Sequence, residues 1–336
     1  MENPAPKGYD LLVQPQTPYT TYSDSLIQRY GGKTYKLTVS GGQTCPTRDG
    51  TFGPKKGWGG CSFCDVHGSA SFFANMRKAL PVRLQMEAAA SGIKKRFKAE
   101  HFVAYFQSYT TTHEEIHEFK ARYDEAIRFP GVVRLAVGTR PDCLPDEVLQ
   151  LLGEYTDRVD VQLELGVQSL QNEVLDFFER GHDAATAIDA LERALAYSRK
   201  LKELNKPKEL DVSAHLIVGA PMEKPEHLIE TARALNRAGA HGVKLHHLHI
   251  LKKTKLERRY KSGEFAFLGM EEYFEKAALL LRHLNKNIVI HRTHGLAPHP
   301  EELLGPDWSA QKIYPVDEFK KWMLARGWRQ GDLAAN

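Results

Sequence analysis

Cys45, Cys61 and Cys64 are the residues whose type and spacing most directly specify chemistry in this chain. Fifteen residues separate Cys45 from Cys61, and two separate Cys61 from Cys64. A Cys-x-x-Cys pair lets one tight turn aim two thiolates at one metal centre. The glycines before it let the backbone wrap that centre closely. Three thiolates suit an iron–sulfur cluster with one open iron, or a zinc ion completed by a histidine such as His67. A thioredoxin-like redox pair fits less well, because it leaves Cys45 without a role. Cys143 follows Pro141 and Asp142 and reads as a buried structural thiol.

The elements that must position these cysteines alternate in type. Strand-like runs fall at Tyr35–Ser40, His101–Phe106, Val132–Val137, Val159–Leu165, Leu210–Val218 and Gly242–Leu248, with a short last one at Asn287–His291. Helical stretches separate them, which implies parallel strands joined by right-handed crossovers. Six repeats fall short of an eight-unit barrel, so the expected fold is α/β, a partial (β/α)6 TIM-type barrel. One barrel domain over residues 29–292 is expected, with extensions over 1–28 and 293–336. In such a barrel the loops after the strands carry the chemistry. The cysteines follow strand one, Gln107 strand two, Arg140 and Asp142 strand three, Gln168 strand four, Gly219 and Pro221 strand five, and His249 and Lys252 strand six. A structural zinc module seldom sits at a barrel mouth, which favours the cluster over zinc.

Composition is that of an ordinary globular protein, with 42% hydrophobic and 26% charged residues and a net charge of +4. That charge makes no strong electrostatic case for nucleic acid. Two basic runs, Lys94–Lys98 and Lys252–Arg259, read as solvated helix faces that could also track phosphates. No apolar stretch approaches the ~20 residues of a membrane span, and Met1–Gln16 has no apolar signal core. A cytoplasmic protein without membrane contact is expected, in which four cysteines do not form a disulfide framework.

Beyond the cysteines, the stretches GGCSFC, AYFQSYT, VGTRPDCLPD, LELGVQS, RGHD, HLIVGAP and GVKLHHLHIL occur in order between Arg29 and Leu251. With them the chain resembles the radical S-adenosylmethionine superfamily, in the branch that includes the Elongator catalytic subunit. More closely it resembles the bacterial YhcC/YtqA-like family. Long insertions before the Cys-x-x-Cys pair are a mark of that branch.

The resemblance implies a [4Fe–4S] cluster on Cys45, Cys61 and Cys64, and reductive cleavage of S-adenosylmethionine to a 5′-deoxyadenosyl radical that abstracts a substrate hydrogen. It places Phe63 beside cluster and adenine, and Gln168 on the ribose. It sets Arg180 on the methionine carboxylate, and the Gly219-Ala220-Pro221 turn against adenine. Gln107 and Ser108 stand where the superfamily has a Gly-Gly motif, and could supply polar contacts instead. Gly138 replaces an acidic residue often used on ribose. Glu164 shares a strand face with Gly166 and Gln168, and a buried carboxylate there is a ligand contact or half of an ion pair. His215 lies where relatives often have an aspartate facing the cofactor; a satisfied core histidine fits equally. Lys244, His249 and Arg292 suit an anionic substrate. The branch points to tRNA, with a carboxymethylaminomethyl wobble uridine converted to its aminomethyl form, and to an electron donor such as flavodoxin or ferredoxin. A chain of this length leaves no room for an added acetyltransferase domain, so acetyl-CoA chemistry is not expected. A radical enzyme acting on a small molecule or protein, and a non-catalytic zinc module, stay open.

Overall fold

Asp160–Gln168 is buried along almost its whole length, as a strand in a parallel sheet must be when side chains fill one face and helices cover the other. A computed structural model describes residues 17–52, 59–65, 68, 80–297, 299–311 and 313–334. Within them the order is α1 (Tyr22–Tyr30), β1 (Thr34–Val39), α2 (Val82–Phe97), β2 (His101–Phe106), α3 (Ile116–Ile127), β3 (Val132–Thr139), α4 (Asp146–Tyr155), β4 (Asp160–Gln168), α5 (Asn172–Phe177), α6 (Ala184–Glu203), β5 (Leu210–Val218), α7 (Pro225–Ala238), β6 (Gly242–His247), β7 (Ile250–Leu251), α8 (Lys255–Lys261), α9 (Met270–His283), β8 (Val289–Arg292), β9 (Leu303–Gly305) and α10 (Tyr314–Ala325).

Seven strands form one parallel sheet in the order β1-β2-β3-β4-β5-β6-β8. Each neighbour in the sheet is the next long strand in sequence, so every crossover turns the same way and the sheet curls into a half-barrel. The expected partial barrel is therefore present, with its short last strand, β8, pairing to β6. Leu37, Leu135, Leu163, Val212 and Val243 are fully buried within the main core, beneath the helices.

Helix α1, strands β7 and β9 and helix α10 fall outside the expected set. Helix α1 forms where only an N-terminal extension is expected. Thr21 caps its start, and Gly31, at φ +73°, ends it in the left-handed conformation. It packs against β8 and β1. Arg29 Nη2 reaches Asp160 at 2.6 Å, and Tyr22 Oη donates to Gln162 at 2.5 Å. Strands β7 and β9 make an antiparallel two-strand sheet, and α8 carries the second basic run. Helix α10 closes the described chain, with Phe319 and Met323 fully buried.

A second, smaller apolar cluster lies under the cysteine loop. It joins Val174, Phe177 and Phe178 to Ile217, Leu248 and Leu256, with Phe63 packed on it. It fixes the Cys61–Cys64 turn to α5 and α8: Ser62 N–H donates to Phe178 O at 2.8 Å, and Leu256 N–H to Ser62 O at 3.0 Å. No helix among the described residues is long and apolar enough to cross a membrane.

Candidate active site

The three cysteines meet on one wall of a cavity of about 670 Å³ at the strand C-termini, within the ~300–1,000 Å³ range of ligand pockets. All are free thiols. Cys64 N–H donates to Cys61 O at 3.1 Å, closing the tight turn the spacing implies. Gly60 N–H donates to Thr47 O at 2.8 Å. Gly60 sits at φ +93°, and a Cβ there would lie 3.2 Å from the Arg48 side chain, so glycine serves both the turn and the close approach.

Cationic and hydroxyl groups surround the sulfurs. Arg48 Nη2 lies 3.1 Å from Cys64 Sγ, and Arg180 Nη1 lies 3.4 Å from Cys61 Sγ. Thr110 Oγ1 donates to Cys45 Sγ at 3.3 Å, and Thr47 Oγ1 lies 3.2 Å from it. Burial pushes the Cys45 thiol up, but Arg140, the two threonines and Arg180 outweigh it and hold the thiol below its ordinary value. Burial pushes Cys64 up to about 11 against the charge of Arg48. The surroundings of Cys45 suit a thiolate, whereas Cys64 would lose its proton to a bound metal.

No three His, Cys, Asp or Glu side chains among the described residues converge to hold a single ion. A zinc ion needs donors within ~2.0–2.3 Å of one point. A cluster takes thiolates on separate irons, so three free thiols that line one cavity without converging on one point fit it. His67, the histidine of the zinc alternative, lies outside the described residues.

Beside the thiols, Gln168 lines the cavity with φ +68°, rare for a non-glycine residue, and its buried Oε1 has no hydrogen-bond partner among the described residues. An acceptor left unpaired at that point of the lining fits a ligand donor such as a ribose hydroxyl. Arg180 Nη2 donates to Gly166 O at 2.8 Å, and a Cβ on Gly166 would fall 2.8 Å from that same nitrogen. Arg140 forks onto Asp142 at 2.8 and 2.7 Å and donates to Arg180 O at 2.8 Å. The Thr139-Arg140-Pro141-Asp142 motif thus braces the Arg180 backbone. Phe63 lines the cavity and packs edge-on against Phe178, ring centres 5.3 Å apart.

Gln107 and His215 also line the cavity, whereas Ser108, Gly219 and Pro221 are outside its lining. Ser108 is buried and its Oγ has no partner among the described residues. Gly219, at φ +109°, donates its N–H to Glu223 Oε2 at 2.8 Å. Cys143 is buried and outside the cavity lining, and burial pushes it up to about 12.

The far side of the cavity is polar. Glu164 Oε1 lies 2.6 Å from Lys244 Nζ, which also donates to Tyr105 Oη at 2.7 Å; Tyr105 in turn donates to Glu164 at 3.0 Å. Glu164 is therefore half of an ion pair, one of the two readings open from sequence. Burial pushes its carboxyl up, but Lys244, His215 and Lys36 hold it well below the carboxylate range. Lys36, which no motif singles out, lies over the Tyr22 and Tyr105 rings at 4.6 and 4.9 Å, and burial pushes it down to about 7. His249, Arg292, His246, His247 and His294 complete this side. Burial drives His249 down to about 3 and His294 to about 4, so these imidazoles stay neutral.

Comparison with known proteins agrees with this geometry. The radical SAM superfamily model matches residues 57–235, starting beyond Cys45, and the Radical_SAM C-terminal domain model matches 240–332. Protein YhcC of Escherichia coli K12 is 34% identical over 94% of this chain and 95% of its own length. The tRNA uridine(34) acetyltransferase of Methanocaldococcus jannaschii is 32% identical over 43% of this chain, and the match takes in only 24% of that protein. Among solved structures, the archaeal Methanocaldococcus infernus Elp3 with an N-terminal deletion superimposes at TM-score 0.64 and 19% identity. That match covers 88% of this chain and 64% of the Elp3 chain, and shows a common fold. A half-barrel with three free cysteines at its mouth and near-full-length likeness to YhcC leaves one assignment: the chain is a radical SAM enzyme of the YhcC/YtqA-like family.

Proposed function

We propose that Cys45, Cys61 and Cys64 hold a [4Fe–4S] cluster, and that the enzyme cleaves S-adenosylmethionine beside it to act on a wobble uridine of tRNA. The observation that carries the cofactor assignment is the wall of three free thiols flanked by Arg48, Arg140 and Arg180 and faced by the orphaned Gln168 Oε1. When bound, the cluster supplies the electron that reduces the sulfonium and releases the 5′-deoxyadenosyl radical.

The chain's own residues do the rest. Arg180, its backbone held by Arg140 and its terminal nitrogens on Cys61 Sγ and Gly166 O, presents its charge to the methionine carboxylate. Gln168 accepts from the ribose. Phe63 covers the adenine side, backed by Phe178. Gln107 contributes a polar group at the mouth, and His215 faces the same space. Glu223 fixes the Gly219 N–H and so the Gly219-Ala220-Pro221 turn, which stands behind the cavity lining on the side assigned to adenine.

The tRNA reading is supported by the name of the Methanocaldococcus jannaschii relative, a tRNA uridine(34) acetyltransferase, over the stretch it shares with this chain. The conversion of a carboxymethylaminomethyl to an aminomethyl uridine is the reaction we assign, with flavodoxin or ferredoxin as electron source and the cytoplasm as location. Nucleosides of tRNA from a deletion strain and its parent test it. The carboxymethylaminomethyl form should accumulate in the deletion strain, and identical nucleoside profiles would remove tRNA as the substrate. A small-molecule or protein substrate would then take its place.

A further inference from the structure

The charges lining the substrate side of the cavity do not cancel. Glu164 is the sole carboxylate among the described residues that line the cavity, and Lys244 holds it at 2.6 Å. Arg140 is taken by Asp142, while Arg48 and Arg180 lie against Cys64 and Cys61. Arg292 remains. It is the final residue of the last barrel strand, β8, in register with Lys244, and no carboxylate among the described residues forms an ion pair with it. Its Nε makes a long contact of 3.4 Å to Leu245 O, and its terminal nitrogens have no partner among the described residues.

Around it stand imidazoles with nitrogens that have no partner among the described residues: both of His247, Nδ1 of His249, Nδ1 of His294 and Nε2 of His215. Ring contacts join His249 to His246 at 4.5 Å and to His247 at 5.4 Å. Glu164 acts on Arg292 through space, but Lys244 holds that carboxylate directly, and a guanidinium drawn into a cavity without an ion pair of its own is costly. Its fork matches two oxygens of one planar or tetrahedral anion. Neutral imidazoles beside it add hydrogen bonds without adding charge.

We propose that Arg292 receives a singly charged oxyanion of the substrate, a carboxylate or a phosphodiester, with His249 as its hydrogen-bonding neighbour. Lys244 is not that receptor, because Glu164 already occupies it. This assignment deepens the proposed function and rests on its division of the cavity into a cofactor side and a substrate side.

The test uses the reconstituted protein saturated with S-adenosylmethionine, so that the Arg180 side is filled. Sodium acetate, dimethyl phosphate and neutral acetamide are titrated under ligand-observed NMR. One of the two anions should bind saturably and at least tenfold more tightly than acetamide, and which one does names the source of the charge. Arg292→Gln should remove that preference, and Arg292→Lys should keep part of it. The iron–sulfur chromophore and S-adenosylmethionine affinity report whether each variant is folded. Equal binding of all three probes, or an anion preference that survives in Arg292→Gln, overturns the proposal. The tRNA assay is independent: identical nucleoside profiles in the deletion strain and its parent, with the anion preference intact, would sink the tRNA reading alone, and altered profiles without an anion preference would sink the Arg292 assignment alone.

Discussion

Lys244 Nζ and Glu164 Oε1 meet at 2.6 Å across the barrel interior, from strands β6 and β4 that are separated in the sheet by β5. Both side chains are 5% exposed. Removing one partner strands a buried charge, which costs about 3–5 kcal/mol, whereas replacing both costs much less. Glu164→Gln and Lys244→Met should each lower unfolding free energy by about that amount, and the double variant should recover at least half of the loss. Anaerobic urea unfolding of the four proteins measures it. Additive losses would mean the pair is not coupled.

Glu223 makes stability depend on pH. Burial pushes its carboxyl from 4.5 up to about 7, opposed by the Gly219 N–H and Lys276. The folded-state value lies above the unfolded one, so the favourable contribution is full below about pH 4.5 and is lost as pH rises through about 7. The full swing is roughly 3 kcal/mol. Glu223→Gln should leave stability at pH 4.5 nearly unchanged and raise it at pH 8, with the Tm difference between the two proteins growing across that window. A difference that stays flat with pH would show that Glu223 titrates normally.

Gly166 has no room for a side chain, since a Cβ would lie 2.8 Å from Arg180 Nη2 and 3.0 Å from Gln168 Nε2. Gly166→Ala should displace both groups and weaken S-adenosylmethionine binding about tenfold, or ~1.4 kcal/mol, while the cluster chromophore stays. Equilibrium dialysis against labelled S-adenosylmethionine reads the first and visible absorption the second. Unchanged affinity would place the cofactor elsewhere.

The barrel was readable from sequence because its strands are short β-branched runs between amphipathic helices, and Val132–Thr139 and Leu210–Val218 carry that pattern strongly. Helix α1 was not. Its sequence, YSDSLIQRY, buries only Tyr22 and Leu26, and distant partners such as Asp160 and Gln162 hold it. Strand β7 has two residues and β9 three, too short for any alternation to show. At the site, the cysteines, Gln168 and Arg180 followed from motifs. The contact of Arg48 with Cys64 follows from the folding of one loop, and the position of Lys36 between Tyr22 and Tyr105 from the curl of the sheet. Neither leaves a spacing that sequence alone can signal.

Anaerobic reconstitution with iron and sulfide, followed by reduction in the presence of S-adenosylmethionine, tests the central claim most directly. The protein should turn brown, hold about four irons per chain as a [4Fe–4S] centre would, and release 5′-deoxyadenosine and methionine; Cys61→Ala should do neither. A colourless protein that binds one zinc and releases no 5′-deoxyadenosine would contradict the account.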